Sequence, residues 1–366
     1  MKNKILIGYF LKVGISPITT INQAIINDLN DKYIFKPFYI YSKARQSHGK
    51  LNFSNILKSF FTWLRWLCLI LKFKPQLVHF PITSYWAFEK SMFILYTAKL
   101  FGLKTVGHLH GGAFKEFFSG LKGFRKRFAY FALNKLDGII TLSHYWQDFI
   151  RSKLPSSNTF YVYNPIEKEF EDSFSAYERN YNIESLIFIG HVRRRKGVFD
   201  ILKAIKPIKE VYIKIAGSGE SKMDEFLMFK KEIVKNNLTE KTAILGTVHG
   251  QDKINLFKES GIFVLPSYTE NFPLVIIEAA CAGLPIIATR IGALPDIFTH
   301  NKNILFIEPG DINQLTWSIN YLINSSAERE RLGSSAKNIF MTQLNRDSIM
   351  KKFDTIYQEL LQNDYQ

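Results

Sequence analysis

Twelve apolar runs of strand length alternate with helical patterns from one end of this chain to the other, and that alternation admits few folds. The first six are KILIGYF, YIFKPFYI, QLVHF, KTVGHL, DGIITL and TFYVY. Between them lie helical candidates at Ile21–Leu29, Asn55–Phe73, Ala87–Phe101 and Lys122–Asn134. The series restarts with SLIFIG and continues through VYIKIAG, TAILG, GIFVLP, PIIAT and ILFIE. Near-continuous apolar strands separated by helices indicate parallel sheet covered on both faces. Between the two series lies NPIEKEFEDSFSAYERNYN, which is acidic, polar and poor in strand signal. The expected architecture is therefore α/β, with two Rossmann-like doubly wound domains facing a cleft. The first spans 1–166, a linker covers 167–183, the second spans 184–345, and a terminal helix over 346–366 packs back on the first. Ligands bind such sheets at the carboxyl ends of strands, so the cleft is the expected site.

A length of 366 residues suits two domains, and 46% hydrophobic residues suffice for two cores. Cys68 and Cys281 both sit among apolar neighbours, a pattern that needs no disulfide and suits a reducing compartment. The opening MKNKILIGYF lacks the apolar stretch and cleavage site of a signal peptide. The most membrane-like run, SFFTWLRWLCLILKF, is short and broken by Arg65, and its plain reading is a buried helix.

Charge is distributed unevenly. Residues 1–166 hold 23 Lys and Arg against 6 Asp and Glu, whereas the remainder is balanced at 25 against 26. An anionic partner for the first half alone follows, either nucleic acid or an acidic membrane surface. No RNP, zinc or helix-turn-helix pattern supports the nucleic-acid reading. In Ala113–Lys135, the basic residues Lys122, Arg125, Lys126 and Arg127 are mixed with Phe117, Phe118, Leu121, Phe124 and Phe128. That mixture suits the headgroup boundary of an anionic membrane, against the alternative of an ordinary amphipathic helix with a solvated face.

The sharpest chemical signal is SYTENFPLVIIEAACAGLPIIATRIGALPDIF, Ser267–Phe298. It begins where a strand ends; Asn271 is placed to cap, Pro273 suits a first helical turn, and LVIIEAACA continues as helix. Helix-start amides around Phe272 and Leu274 would attract a diphosphate. Glu270 in the loop is placed to hold sugar hydroxyls, and Glu278 on the second turn to take both hydroxyls of a ribose. Glu278 would be an odd surface residue among Leu274, Val275, Ile276, Ile277 and Ala279. A glycosidase pair is the other use of two carboxylates, but it has no need of a neighbouring basic diphosphate site.

These residues resemble the Glu–seven residues–Glu signature of retaining glycosyltransferases of family 4, which have the GT-B fold. The likeness continues through Gly283–Leu284–Pro285 and the loop near Gly292. FIGHVRRRKGVFDILKAI resembles the family's Gly-Arg-x-x-x-x-Lys-Gly segment, which places Lys196 on the donor pyrophosphate and His191 where the family has arginine. Arg193, Arg194 or Arg195 could substitute for that arginine. AGSGE looks like the family's Gly-x-Gly turn. In KTVGHLHGGAF, His110 aligns with the histidine that contacts the transferred sugar, whereas His108 reads as core. Gly14 resembles the glycine loop that closes over the diphosphate, with Val13 replacing a second glycine. QLVHF, TLSHYW and VYNPIE resemble further strand-end segments.

The resemblance implies a retaining hexosyltransferase that moves sugar from a UDP- or GDP-sugar to a lipid-linked or other saccharide acceptor. It further implies O-antigen, capsule or exopolysaccharide biosynthesis, with the enzyme peripheral on the inner face of the cell membrane. No cofactor and no metal are expected, since no clustered Asp-x-Asp or His/Cys spacing is present. The alternatives are a nucleotide-sugar epimerase of the same architecture and a basic nucleic-acid-binding protein.

Overall fold

The computed structural model describes residues 2–11, 17–41, 53–110, 114–219, 223–270 and 272–362. Gly14 and Asn271 lie outside the described residues. The chain divides into two compact units, one formed by Met1–Pro165 with Asp347–Gln366, the other by Ile166–Arg346.

The first unit is built on β1 (Asn3–Leu11), β2 (Tyr33–Tyr41), β3 (Leu77–Ile82), β4 (Lys104–Leu109), β5 (Gly138–Thr141) and β6 (Thr159–Tyr161). All neighbours pair in parallel, in the order β2-β1-β3-β4-β5-β6. The connecting helices are α1 (Pro17–Leu29), α2 (Phe53–Phe73), α3 (Trp86–Leu100), α4 (Phe114–Ser119), α5 (Gly123–Asn134) and α6 (His144–Lys153). Within 113–135, the helix expected over Lys122–Asn134 is α5, and a further short helix, α4, precedes it. Phe117, Phe118 and Leu121 are buried there, so part of the segment's apolar content belongs to the core.

The second unit holds α7 (Lys168–Ser175), β7 (Leu186–Ile189), α8 (Val198–Ile205), β8 (Ile213–Ala216), α9 (Met223–Lys235), β9 (Thr242–Gly246), α10 (Gly250–Lys258) and β10 (Ile262–Leu265). It continues with α11 (Leu274–Cys281), β11 (Ile286–Thr289), α12 (Leu294–Ile297), β12 (Leu305–Ile307), α13 (Ile312–Ile323) and α14 (Ser326–Ile339). Its six parallel strands run β12-β11-β10-β7-β8-β9, which is the doubly wound Rossmann order. All twelve apolar runs are strands, and the expected α/β class of two Rossmann-like sheets is what the molecule has.

Residues 167–183, read from the sequence as a linker, group with the second unit. They begin with α7, whose Phe170 and Phe174 are buried, with Phe170 edge-on to Phe257 at 5.0 Å. Arg179 then donates to the carbonyl oxygens of Phe257, Ser260 and Ala282 at 2.7–2.9 Å. Two buried aromatics four residues apart outweigh the segment's acidic composition.

The final helix, α15 (Arg346–Gln362), lies on the sheet of the first unit. Tyr33 donates from its hydroxyl to Asp354 Oδ1 at 2.7 Å, and Lys32 donates to Asp354 Oδ2 at 2.6 Å. Burial alone would raise the Asp354 carboxyl, but these two donors hold it below its ordinary value. Tyr33 is 5% exposed, so removing its acceptor strands a buried hydroxyl, which costs about 1–3 kcal/mol. Asp354→Ala is accordingly expected to lower the denaturation midpoint of the first unit; a midpoint equal to the wild type would show that α15 is held by apolar packing alone.

Candidate functional site

In the second unit, strand order reverses between β7 and β10, which are hydrogen-bonded neighbours although β8 and β9 intervene in sequence. The carboxyl ends of those two strands flank the crevice where doubly wound sheets take ligands. Beyond β7 the chain passes Gly190 and His191 into a tight turn, Arg194–Lys196, and enters α8 through Gly197. Gly197 has φ +72°, and a Cβ there would lie 1.9 Å from the Pro266 carbonyl oxygen at the end of β10. Only glycine allows that approach. Tyr268 N–H and Ser267 Oγ both donate to the Arg195 carbonyl oxygen, at 2.9 and 3.2 Å. Two loops far apart in sequence are thereby joined, and the junction brings Lys196 Nζ and Glu270 Oε1 together as an ion pair. Both side chains are mostly buried, at 17% and 11% exposure.

The glycines of AGSGE also meet a packing constraint within the unit. A Cβ on Gly217 would stand 1.8 Å from the Gly190 carbonyl oxygen, and one on Gly219 would strike the Phe226 ring at 2.2 Å. Both glycines are therefore required by packing inside the unit. His191 is exposed, and its imidazole sits below its ordinary value, through partial burial first and then Arg193 and Lys196 nearby. Arg194 stacks over the Phe199 ring at 4.4 Å.

α11 starts at Leu274 with Pro273 as its cap residue, one position earlier in role than expected. Among the described residues no side chain caps this end. Phe272 is buried and Leu274 half-buried. Glu278 is 5% exposed. Its Oε1 accepts from Lys253 Nζ at 2.9 Å, and Lys253 also reaches Glu167 Oε2 at 3.4 Å. Glu278 Oε2 is buried without a hydrogen-bond partner. Burial pushes the Glu278 carboxyl up, and the Lys253 ammonium offsets part of that. Lys253 itself stays charged, because the carboxylates of Glu278 and Glu167 outweigh its own burial. Sequence reasoning missed Lys253, which reads there as an ordinary lysine in the first turn of a helix.

In the first unit, His110 follows β4, its N–H donating to the Ile82 carbonyl at 2.9 Å. Its ring lies against His108, centroids 3.9 Å apart. His108 Nδ1 and His79 Nε2 are 3.2 Å apart, and His79 Nδ1 meets the Tyr357 hydroxyl of α15 at 2.6 Å. His79 and His108 are fully enclosed, whereas His110 is half-buried with its Nε2 unpartnered. Among the described residues no three His, Cys, Asp or Glu side chains converge as a metal-holding group.

The three imidazoles stay neutral. Burial, with His79 adding to it at His110, pushes His79 and His110 down to about 3, and His108 lies well below its ordinary value. An unfolded histidine takes its proton near pH 6.5, while the folded ones resist until far lower. Stability from this chain is thus complete above that value and is lost as pH falls toward 3. The melting temperature of the first unit is expected to fall on acidification from about pH 7 to about pH 4, and less steeply in His79→Gln. Equal slopes for the two proteins would refute the assignment.

The fold and both sets of side chains bear on what the chain is similar to. The model for Glycosyltransferase Family 4 matches residues 37–170, and that for Glycosyl transferases group 1 matches residues 169–339. An uncharacterized glycosyltransferase of Methanocaldococcus jannaschii is 27% identical over 281 residues, 76% of this chain and 75% of its own length. The N-acetyl-alpha-D-glucosaminyl L-malate synthase of Bacillus anthracis is 27% identical over 218 residues, covering 57% of this chain and 56% of that protein. Among solved structures, Anabaena HepE in complex with UDP aligns over 98% of this chain and 100% of its own, with a TM-score of 0.76 at 17% identity. Both matched models describe transferases, which disfavours the epimerase and nucleic-acid-binding readings. Two glycosyltransferase models match the chain in tandem over residues 37–339, the family 4 model over 37–170, and with its two Rossmann-like sheets the chain is similar to glycosyltransferases of the GT-B fold.

Proposed function

We propose that the protein transfers a sugar from a nucleotide-sugar donor to a saccharide acceptor with retention of anomeric configuration. The observation that carries this reading is the Lys196–Glu270 pair, formed at the strand-order reversal of the second unit by residues 74 positions apart. An incoming diphosphate would draw Lys196 away from Glu270, freeing the carboxylate for sugar hydroxyls. Lys196 and the start of α11 would then neutralise charge on the departing diphosphate oxygen as the bond to the anomeric carbon breaks. The proposed stabilisation calls on no metal or cofactor. Glu278 Oε2, buried and unpartnered, is a ready acceptor for a ribose hydroxyl, and Lys253 keeps its carboxylate oriented. His110 offers an unpartnered Nε2 and is assigned to the transferred sugar. Gly14 keeps its proposed role at the diphosphate, in a segment outside the described residues.

A UDP- or GDP-linked hexose is the proposed donor, an assignment supported by the UDP held by HepE. The proposed acceptor is a lipid-linked saccharide of O-antigen, capsule or exopolysaccharide assembly at the inner face of the cell membrane. Its support is the basic first half of the chain.

Lys196→Ala and Glu278→Gln should each weaken nucleoside diphosphate binding by about 1.5–3 kcal/mol in calorimetry. Unchanged affinity in both, with unchanged melting temperatures, would remove the donor-site assignment. His110→Ala and Glu270→Ala should instead lower turnover more than nucleotide affinity. An α-linked donor should give an α-linked product by its anomeric NMR coupling, and a β-linked product would end the retaining assignment.

A further inference from the structure

The helix expected to be buried, α2, carries two apolar faces. Trp66 and Ile70 point inward, with Trp66 against Phe38 and Phe80 at ring distances of 4.9 and 6.1 Å. On the opposite side Leu57, Phe60, Phe61, Leu64 and Leu71 are exposed, Phe61 and Leu71 by 60%. At 100° per residue those five positions fall within one stripe about 100° wide. α3 has its own outward stripe at seven-residue spacing, Trp86, Phe93 and Leu100, and α5 has Phe124 and Phe131. Phe124 is 82% exposed.

The stripes lie side by side. Trp63 of α2 is 5.9 Å from Phe93 of α3, and its indole N–H donates to Thr97 at 3.3 Å. Tyr96 of α3 is 5.7 Å from Phe131 of α5, and the Arg125 guanidinium sits 5.7 Å from the Trp86 ring. Contiguous exposed apolar surface of this kind marks an interaction face.

Charge selects the partner. Residues 53–135 contain 13 Lys and Arg but only two acids, Glu89 and Glu116, and Glu89 is paired with Arg125. Arg65 and Lys72 are exposed seven residues apart on one flank of the α2 stripe, and Arg125, Lys126 and Arg127 are exposed on α5. A second copy of this chain would set basic rim against basic rim. An anionic lipid surface complements both the aromatic stripes and the rim.

We propose that the α2–α3–α5 face docks flat on an anionic bilayer, with the aromatic stripes entering the headgroup–acyl boundary and the arginines and lysines beside lipid phosphates. This deepens the lipid-side placement proposed above and is independent of the donor chemistry. It also moves the centre of contact from α5, favoured by composition, to α2 and α3. Among the described residues no helix is long and apolar enough to cross a membrane, so the attachment proposed is to the surface of one leaflet.

The test is co-sedimentation of the full chain with phosphatidylcholine vesicles and with equimolar phosphatidylcholine–phosphatidylglycerol vesicles, at low and high salt. Binding is expected on the anionic vesicles, with a salt-sensitive part and a salt-resistant part, and with a blue shift of tryptophan emission that Trp86→Phe diminishes. Phe60→Ser with Phe61→Ser and Leu64→Ser changes only exposed side chains and should cut partition by roughly tenfold or more at either salt. Arg125→Gln with Lys126→Gln and Arg127→Gln should cut only the salt-sensitive part. Nucleoside diphosphate affinity, measured in parallel, should be the same in all four proteins, so loss of docking is separable from failure of the donor site. Equal sedimentation of the α2 variant and the wild type would overturn the proposal. So would absence of vesicle binding together with a dimer that the α2 variant converts to monomer, since the face would then serve self-association.

Discussion

The Arg195 carbonyl oxygen is the point on which the donor half depends. It accepts from Tyr268 N–H and Ser267 Oγ, and so ties the loop after β7 to the loop after β10. The tie works only because Gly197 lets the turn approach within reach of the Pro266 carbonyl. Ser267 is itself fixed from below, its carbonyl accepting from Thr289 Oγ1 at 2.6 Å. Three strands thus converge on one peptide unit. Lys196 and Glu270, on either side of it, have little freedom in where they meet. A charge pair on two loops tied to each other is more firmly placed than one carried by free loops, and firm placement is what a diphosphate site requires.

The first unit shows a second constraint of the same kind. His79 and His108 occupy neighbouring strands, and α15 covers them with Phe353 and Tyr357. The histidine chain links the last helix of the protein to His110, the residue assigned to the transferred sugar. A neutral, buried imidazole can hand its ring orientation to its neighbour through contact alone. Through His108 and His79, His110 is thereby connected to Tyr357, more than two hundred positions away in sequence.

The strands and the class of fold were legible because a buried parallel strand advertises itself locally, as a short apolar run between turns. The segments that carry Lys196, Glu270 and Glu278 stand out in the sequence because each motif is contiguous. What escaped notice was non-local or two-sided. Lys253 acquires meaning only from Glu278, 25 residues later. In residues 167–183, the acidic side chains masked Phe170 and Phe174. α2 is apolar on both faces, so its hydrophobicity could not reveal that one of them meets solvent. The packing constraint on the glycines of AGSGE is likewise non-local, since the atoms a side chain there would meet belong to Gly190 and Phe226.

The central claim is that the paired Lys196 and Glu270 mark the donor site. A crystal structure with a bound nucleoside diphosphate tests it most directly. The account predicts a phosphate oxygen within hydrogen-bond reach of Lys196 Nζ, the ribose on Glu278, and the Lys196–Glu270 pair opened. A diphosphate bound elsewhere, with that pair intact, would contradict it.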